Sequence, residues 1–217
     1  MLKQARQRFV CRLQLGATGP SVICKLFPLT SPLSWPRWRK FALREFGNLR
    51  HARARGCPAP RPLALFNDRR LGLVRCTGLL MEDLRGWSDL RTVAAAEGPL
   101  AAARLAAAAL RSMAELGCLH ADARDENILV SADRSRWSVI DWQYARFARP
   151  DANRSLARLA AFYIYKAPVQ HQLLLEREWV AELASDRPQL ADQIHQALRR
   201  KRSSRLRLPR LLPLQHR

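Results

Sequence analysis

The sequence predicts an α+β fold made of two unequal lobes. Residues 1–83 contain short runs of apolar residues separated by turn residues, which is typical of a small antiparallel sheet. Residues 84–217 contain longer segments with helical periodicity, so this part is predicted to be mainly helical. With 217 residues the chain can bury a proper core, either as one domain of two lobes or as two small domains.

Five strands and one helix are predicted in the first part. The helix runs from Pro36 to Arg55 and ends at Gly56, because glycine commonly follows the last residue of a helix. Asn67-Asp68 is predicted as the turn between the third and fourth strands. The predicted strands are Phe9 to Leu15, Val22 to Phe27, Pro62 to Phe66, Leu71 to Arg75 and Leu79 to Leu84.

Helices dominate the predicted second part. They are interrupted by one short apolar hairpin in the middle of the chain and are followed by a basic tail, Arg199 to Arg217. The tail mixes cations with leucine and proline, so it either lies on an anionic surface or is disordered. The predicted helices are Pro99 to Leu116, Asn153 to Tyr165, Leu173 to Leu183 and Pro188 to Arg200.

The net charge of +20 is the most unusual feature of the composition. It indicates an anionic partner, namely nucleic acid, a membrane surface or a phosphorylated substrate, unless it only reflects an arginine-rich composition. No helix-turn-helix or RNA-binding motif is present, which argues against nucleic acid. The five cysteines include no C-x-x-C pair, which argues against a zinc site or a disulfide framework and for a reducing compartment. No signal peptide and no uncharged apolar run of transmembrane length is visible.

Lys25 and Glu45 are predicted to form a buried ion pair. Lys25 is a lone cation in an apolar strand, and a buried ammonium group needs a partner. Glu45 lies four residues from both Phe41 and Leu49, which places it on the apolar stripe of the predicted helix. The alternative is that Lys25 is an exposed lysine on an edge strand.

A group of oxygen-bearing side chains surrounds the central hairpin. Asp122 lies in the loop that leads into the hairpin, Asn127 lies at its start, and Asp141 follows its end. Because the start and the end of an antiparallel hairpin lie side by side, Asn127 and Asp141 should meet at one end of it. Such ligands suit Mg²⁺, which binds few protein groups together with substrate phosphates.

These residues carry a resemblance to the protein-kinase-like fold. His120 to Asn127 resembles the catalytic loop H-x-D-x-x-x-x-N, and Asp141 resembles the metal-binding aspartate that follows it. Val22 to Lys25 resembles the V-A-I-K strand, with Glu45 as the helix glutamate that holds its lysine.

The resemblance implies a bilobal protein-kinase-like fold with residues 1–83 as N-lobe and 84–217 as C-lobe, and it implies a kinase that uses ATP and Mg²⁺. The implied catalytic residue is Asp122, with Arg124 neutralising the transferred phosphoryl group and His120 in a structural role. Asn127 and Asp141 are the implied metal ligands. Lys25, held by Glu45, is implied to bind the phosphates, and the backbone near Glu82 and Leu84 is implied to bind the adenine. Arg124 could instead be a solvated loop arginine.

The sequence departs from the kinase pattern at the N-terminus, where no G-x-G-x-x-G loop occurs. Either Met1 starts inside the usual first strand, or Gln4 to Phe9 forms a substitute without glycine. Without this loop the chain could be a pseudokinase scaffold that binds nucleotide weakly or not at all.

A further segment is similar to the bacterial lipopolysaccharide kinase family, whose members phosphorylate Kdo or heptose. Arg44 to Leu49, followed by Gly56 to Pro60, resembles the family pattern R-E-W-x-N-L … G-x-P-x-P. The family implies ATP-dependent phosphorylation of an inner-core sugar, an anionic glycolipid acceptor, and a cytoplasmic protein with peripheral contact to the inner membrane. Another small-molecule kinase or a protein kinase of the same fold is the alternative. The oligomeric state is left open.

Overall fold

The computed structural model describes residues 3–5, 8–30, 39–149 and 151–206. A five-stranded antiparallel sheet with order β1-β2-β3-β5-β4 forms the first part, and helix α1 packs against strands β3, β4 and β5. The elements are β1 Lys3–Ala5, β2 Arg8–Gln14, β3 Ser21–Pro28, α1 Ala42–Ala54, β4 Pro62–Arg70 and β5 Leu73–Glu82.

The second part is mainly helical and contains two small sheets. Strand β8 pairs with both β6 and β9, and β7 pairs with β10. The elements are β6 Ser88–Asp89, α2 Leu90–Glu97, α3 Pro99–Glu115, β7 Cys118–Leu119, β8 Ile128–Val130, β9 Trp137–Val139, β10 Arg146–Phe147, α4 Ala152–Lys166, α5 Val169–Leu174, α6 Val180–Leu183 and α7 Pro188–Leu206. A π-helical segment, Leu175–Trp179, joins α5 to α6.

The predicted turn at Asn67-Asp68 is wrong. Both residues lie inside β4, where they pair with Thr77 and Cys76 of β5. The chain reverses at Leu71 and Gly72 instead, which both have a positive φ, 50° and 75°. Asparagine and aspartate favour turns locally, but here the pairing of two long strands outweighs that preference.

Several predicted boundaries also shift. Helix α1 begins at Ala42 rather than Pro36, with a short 3₁₀ turn at Arg39 and Lys40 before it, and residues 36–38 lie outside the described ones. The last two predicted strands of the first part form one strand, β5. Helix α2 was not predicted, and α7 continues through the first residues of the basic tail, so these are helical rather than disordered. The tail residues 207–217 lie outside the described part.

One apolar core runs through both parts of the molecule. It includes Phe27 and Leu79 of the sheet, Leu49 of α1, and Leu110 and Ile164 of the helical part. Within the described residues, no helix is both long enough and apolar enough to cross a membrane.

Candidate active site

Lys25 and Glu45 form the predicted ion pair. The Nζ atom of Lys25 lies 2.5 Å from Oε1 of Glu45, and their side chains are 7% and 0% exposed. Ala42, Glu45, Leu49 and Ala52 form the buried face of α1, which explains why the glutamate points at the sheet. Burial raises the pKa of Glu45, and the adjacent Lys25 ammonium counteracts that rise.

The catalytic-loop residues converge as the hairpin geometry requires. The Ile140 N–H donates to the Asn127 carbonyl at 2.9 Å, so the start and end of the β8–β9 hairpin lie side by side. The Asn127 amide donates to the Asp122 carbonyl at 2.8 Å and to its Oδ2 at 3.0 Å. Burial raises the pKa of Asp122, and the negative charge of Asp141 adds to this rise.

Asp141 lies between two cations. Its Oδ2 atom accepts a hydrogen bond from Arg8 Nη1 at 2.9 Å, and its Oδ1 lies 3.8 Å from Lys25 Nζ. Its backbone is left-handed, with φ 65° and ψ 55°, which turns the side chain out of the strand direction. Burial disfavours its charge, but Lys25 and Arg8 outweigh this and lower the pKa of Asp141.

His120 is a buried, neutral support for the loop. Its Nδ1 accepts a hydrogen bond from the Asp122 N–H at 3.1 Å, and its ring meets Trp142 edge-on with 5.0 Å between centroids. Burial lowers its pKa to about 4. A neutral ring that accepts through Nδ1 carries its proton on Nε2. The geometry matches the structural role that was predicted for this residue.

Arg124 lies beside the proposed catalytic aspartate. Its Nε is 3.6 Å from Asp122 Oδ2, and its Nη2 is 2.8 Å from Glu126 Oε2. Glu126 also pairs with Arg91 of α2. The guanidinium is therefore held at the mouth of the loop rather than free in solvent.

Glu82 and Leu84 line the same cleft as Lys25 and Asp141. The Glu82 N–H donates to the Arg61 carbonyl at 2.9 Å, so it is not available to a ligand. Asp83 between them was not predicted as a site residue, yet it accepts bonds from Arg12 at 2.5 Å and from Ser21 at 2.6 Å. Asp83 thereby ties strands β2 and β3 to the segment that leads into the helical part.

Two cavities flank the Asp122–Asn127 hydrogen bond. A cleft of about 490 Å³ contains Lys25, Asn127 and Asp141, and its walls include apolar side chains of both parts of the molecule. A second cavity of about 930 Å³ contains Asp122 and is lined by many cations. The apolar cleft residues include Ile23, Met81, Leu129 and Ile140. The cations of the second cavity are Arg44, Arg146, Arg158, Lys166, Arg200 and Lys201.

The donor set fits a hard divalent cation. In the described part of the chain, no group of three or more histidine, cysteine, aspartate or glutamate side chains could hold a metal ion. Mg²⁺ does not need such a group, because it takes one or two protein ligands together with phosphate oxygens and water. The side-chain amide nitrogen of Asn127 faces Asp122, which leaves the side-chain oxygen of Asn127 for a cation. The lowered pKa of Asp141 keeps its carboxylate ionised in the same cleft.

Comparison with known proteins establishes the family. The profile of the lipopolysaccharide kinase (Kdo/WaaP) family matches residues 30–181, which is more than half of the chain. The chain belongs to this family. It is a kinase that acts on lipopolysaccharide. A search of curated proteins gives no significant match.

Two solved structures share the fold of this lipopolysaccharide kinase. One is described as "WaaP in complex with acyl carrier protein"; it is 19% identical, has a TM-score of 0.55, and the match covers 91% of this chain and 86% of that one. The other is a Rio2 kinase from Chaetomium thermophilum in an ADP/Mg²⁺-phosphoaspartate complex. It is 16% identical with a TM-score of 0.52, and the match covers 93% of this chain and 70% of that one. At these identities the likeness shows a protein-kinase-like fold, as the catalytic-loop resemblance implied.

Six of the predicted site residues of the lipopolysaccharide kinase line one of the two cavities, namely Lys25, Glu82, Leu84, Asp122, Asn127 and Asp141. Arg124 and Glu45 line neither cavity and contact the site through Asp122 and Lys25. Sequence reasoning did not identify Arg8, Asp83 or Asn48 as part of this region. Asn48 belongs to the Arg44 to Leu49 segment that resembles the family pattern, but the sequence does not show what its side chain contacts. Arg8 and Asp83 had no local signal, because their partners lie 133 and 71 residues away in the chain.

Proposed function

We propose that the protein is an ATP-dependent phosphotransferase that phosphorylates a sugar hydroxyl of the lipopolysaccharide inner core. The observation that carries the proposal is the convergence of Asp122, Asn127 and Asp141 opposite the Lys25–Glu45 pair. We assign the two lobes to residues 1–83 and 84–217, with the donor in the cleft between them.

The smaller cleft suits a nucleotide. Apolar side chains above and below, such as Ile23 and Leu129, offer flat surfaces for a purine ring. The Leu84 N–H is the backbone donor we assign to the ring, since the Glu82 N–H is already bonded to Arg61. Lys25, fixed by Glu45, is positioned to bind the phosphates.

Asn127 and Asp141 are the residues that would hold Mg²⁺. When bound, the ion supplies positive charge that neutralises the phosphates of the donor. The protein contributes the fixed positions of these two ligands, which the hairpin and the Asp122–Asn127 hydrogen bond impose.

Asp122 receives the proton of the acceptor hydroxyl. The hydroxyl oxygen forms a bond to the terminal phosphorus of ATP, the bond between that phosphorus and the bridging oxygen breaks, and ADP leaves. The pKa of Asp122 is raised chiefly by burial, which makes it a stronger proton acceptor than a solvent-exposed aspartate. Arg124, 3.6 Å from the Asp122 carboxylate, is placed to neutralise charge on the phosphoryl group.

The basic cavity on the other side of Asp122 is the acceptor site in this proposal. Lys166 and Lys201 lie on the ring of Phe162, with Nζ atoms 5.5 and 4.5 Å from its centroid. Burial and the neighbouring Lys166 lower the pKa of Lys201, so an anionic ligand between the two ammonium groups would relieve their repulsion. Inner-core sugars carry such anionic groups, and their lipid anchor places this cavity at the cytoplasmic face of the inner membrane, where the protein binds peripherally.

Asp122→Asn tests the proposal. We expect transfer from ATP to phosphate-free inner-core lipopolysaccharide to fall by roughly 10²- to 10⁴-fold, because the proton acceptor is lost while the Asn127 contact is kept. Product is measured by mass spectrometry as one added phosphate per lipopolysaccharide. Asp186→Asn is the matched control, since Asp186 is exposed and lines neither cavity, and its carboxylate forms an ion pair with the adjacent Arg187. An Asp122→Asn enzyme as active as the control would contradict the proposal.

A further inference from the structure

Arg8 enters the nucleotide cleft from a hairpin that contains no glycine. Strands β1 and β2 pair with Ala5 opposite Arg8, and residues 3–10 include no glycine. On β2, Arg8 and Val10 face the cleft, together with Lys25 on the neighbouring strand. The Arg8 side chain is 24% exposed, and its guanidinium reaches Asp141.

The register places Arg8 where kinases have the last glycine of their phosphate loop. In the pattern G-x-G-x-x-G-x-V, the valine on the second strand follows the last glycine by two residues. Here the cleft-facing valine of that strand is Val10, which pairs directly with Lys25. Two residues before Val10 is Arg8.

An arginine at this position changes how phosphates can be bound. Glycine lets backbone N–H groups come close to the phosphates, because no side chain intervenes. Arginine fills that space, but its planar guanidinium offers five N–H donors in a geometry that matches phosphate oxygens.

Charge balance indicates when Arg8 changes partner. In the structure, Asp141 is neutralised by Arg8 at 2.9 Å and by Lys25 at 3.8 Å. A divalent cation on Asp141 would add a third positive centre, which is unfavourable unless Arg8 finds another anion. The donor phosphates are the anions that arrive with that cation.

We propose that Arg8 is a phosphate-binding residue that replaces the Gly-rich loop: its guanidinium, which bonds Asp141 in the structure, transfers its hydrogen bonds to the donor phosphates when the nucleotide binds. This assignment rests on the proposed function. It gives the glycine-free hairpin a specific role in ATP binding, and it makes Asp141 available to the metal ion only when phosphates are present.

The test measures nucleotide affinity by calorimetry for the wild type and for Arg8→Ala, in the presence of Mg²⁺. We expect Arg8→Ala to weaken ATP and ADP binding by about 10- to 100-fold, which is the loss of charge-assisted hydrogen bonds, and to leave adenosine binding unchanged. Arg8→Lys should fall between the two for ATP, because it keeps the charge and loses the paired donors. Arg70→Ala, exposed on the distant β4–β5 turn, is the control and should bind all three ligands as the wild type does.

The alternative outcomes are distinct. If Arg8→Ala binds ATP as tightly as the wild type or more tightly, Arg8 only blocks Asp141 and the proposal is wrong. If it weakens adenosine and ATP equally, Arg8 only supports the shape of the cleft and the proposal is also wrong. If the wild type binds no ATP at all, the proposed function fails together with this assignment, whereas either of the first two results leaves the proposed function intact. Melting temperatures of all variants show whether each one is folded.

Discussion

The side-chain amide of Asn48 donates to the Trp142 carbonyl at 2.7 Å and lies 3.5 and 3.4 Å from the carbonyls of Gln143 and Ala145. Asn48 follows Glu45 by one helical turn of α1, and Trp142 directly follows Asp141. One side chain therefore joins the helix that holds the lysine partner to the turn that carries the proposed metal ligand. Arg55 adds a second link, since its Nη1 lies 3.1 Å from the Ala148 carbonyl.

Asn48→Asp should lower both stability and activity more than Asn48→Ala does. Aspartate has the same shape but no donor, so its negative charge would face three carbonyl oxygens. We expect Asn48→Ala to cost about 1–3 kcal/mol in the free energy of unfolding. Urea unfolding and steady-state kinetics measure the two effects, and the KM for ATP should rise as the Asp141 turn loosens.

Asn153→Asp is the matched control for that change. Asn153 is exposed and accepts a hydrogen bond from Arg187 through its oxygen at 3.3 Å, so an aspartate there keeps the contact. Its stability and kinetics should equal those of the parent. Equal behaviour of the two Asn→Asp variants would contradict the role assigned to Asn48.

Removing Lys25 alone should lower the free energy of unfolding strongly, whereas replacing both Lys25 and Glu45 with apolar residues should lower it much less. Lys25→Met leaves a buried carboxylate without its nearest cation, and we expect a loss of about 3–5 kcal/mol in the free energy of unfolding. The double variant Lys25→Met/Glu45→Leu should recover most of that loss, because no buried charge remains. Neither the single nor the double variant should transfer phosphate, since both lack the phosphate-binding ammonium of Lys25.

An exposed ion pair serves as the control for the Lys25 and Glu45 variants. Arg104 binds Glu182 through two hydrogen bonds at 2.8 and 2.6 Å on the surface. Arg104→Met should leave urea unfolding nearly unchanged, because solvent screens such pairs. A double variant at Lys25 and Glu45 that is no more stable than Lys25→Met would show that the cost lies in packing rather than in charge.

His120 should make stability fall on acidification. Its folded pKa of about 4 lies below its ordinary value of 6.5, so the unfolded chain binds the proton first. The stabilisation is complete above about pH 6.5 and is lost as the pH falls towards 4, by about 3 kcal/mol in all. Two charged groups act on the ring in opposite directions: Asp141 raises the pKa of His120 and Lys25 lowers it.

His120→Asn is the variant that isolates this effect. The asparagine oxygen can accept the Asp122 N–H as Nδ1 does, but it does not titrate. The difference in unfolding free energy between the two proteins should shrink steadily from pH 6.5 to pH 4. A difference that stays constant over this range would mean that His120 is not kept neutral by burial.

Reversal of one charge in the basic cavity should affect the acceptor and not the nucleotide. We expect Lys166→Glu to raise the KM for lipopolysaccharide by about tenfold or more, because a like charge would face the anionic acceptor. The KM for ATP should be unchanged, and added salt should reduce the difference between the two enzymes. Arg70→Glu, at a surface turn that lines neither cavity, should leave both KM values as they are. An equal rise for both variants would point to a general effect of net charge.

Local chemistry explains where sequence reasoning succeeded. The Lys25–Glu45 pair followed from the cost of burying a lone ammonium and a lone carboxylate on two apolar surfaces. The meeting of Asn127 and Asp141 followed from the geometry of a hairpin. The predicted turn at Asn67-Asp68 was wrong for the opposite reason. The turn preference of these residues competes there with pairing to strand β5, which no local rule reveals.

The sequence by itself determined the α+β fold, the family, and the residue types that converge beside the hairpin, because periodicity and spacing act over a few residues. Only the tertiary structure decided that Arg8 contacts Asp141, that Asn48 holds the Trp142 turn, and that six cations surround the cavity beside Asp122. These contacts join residues that are far apart in the chain, so their partners are fixed by the packing of the sheet on the helices and by no pattern that a short stretch of sequence can carry.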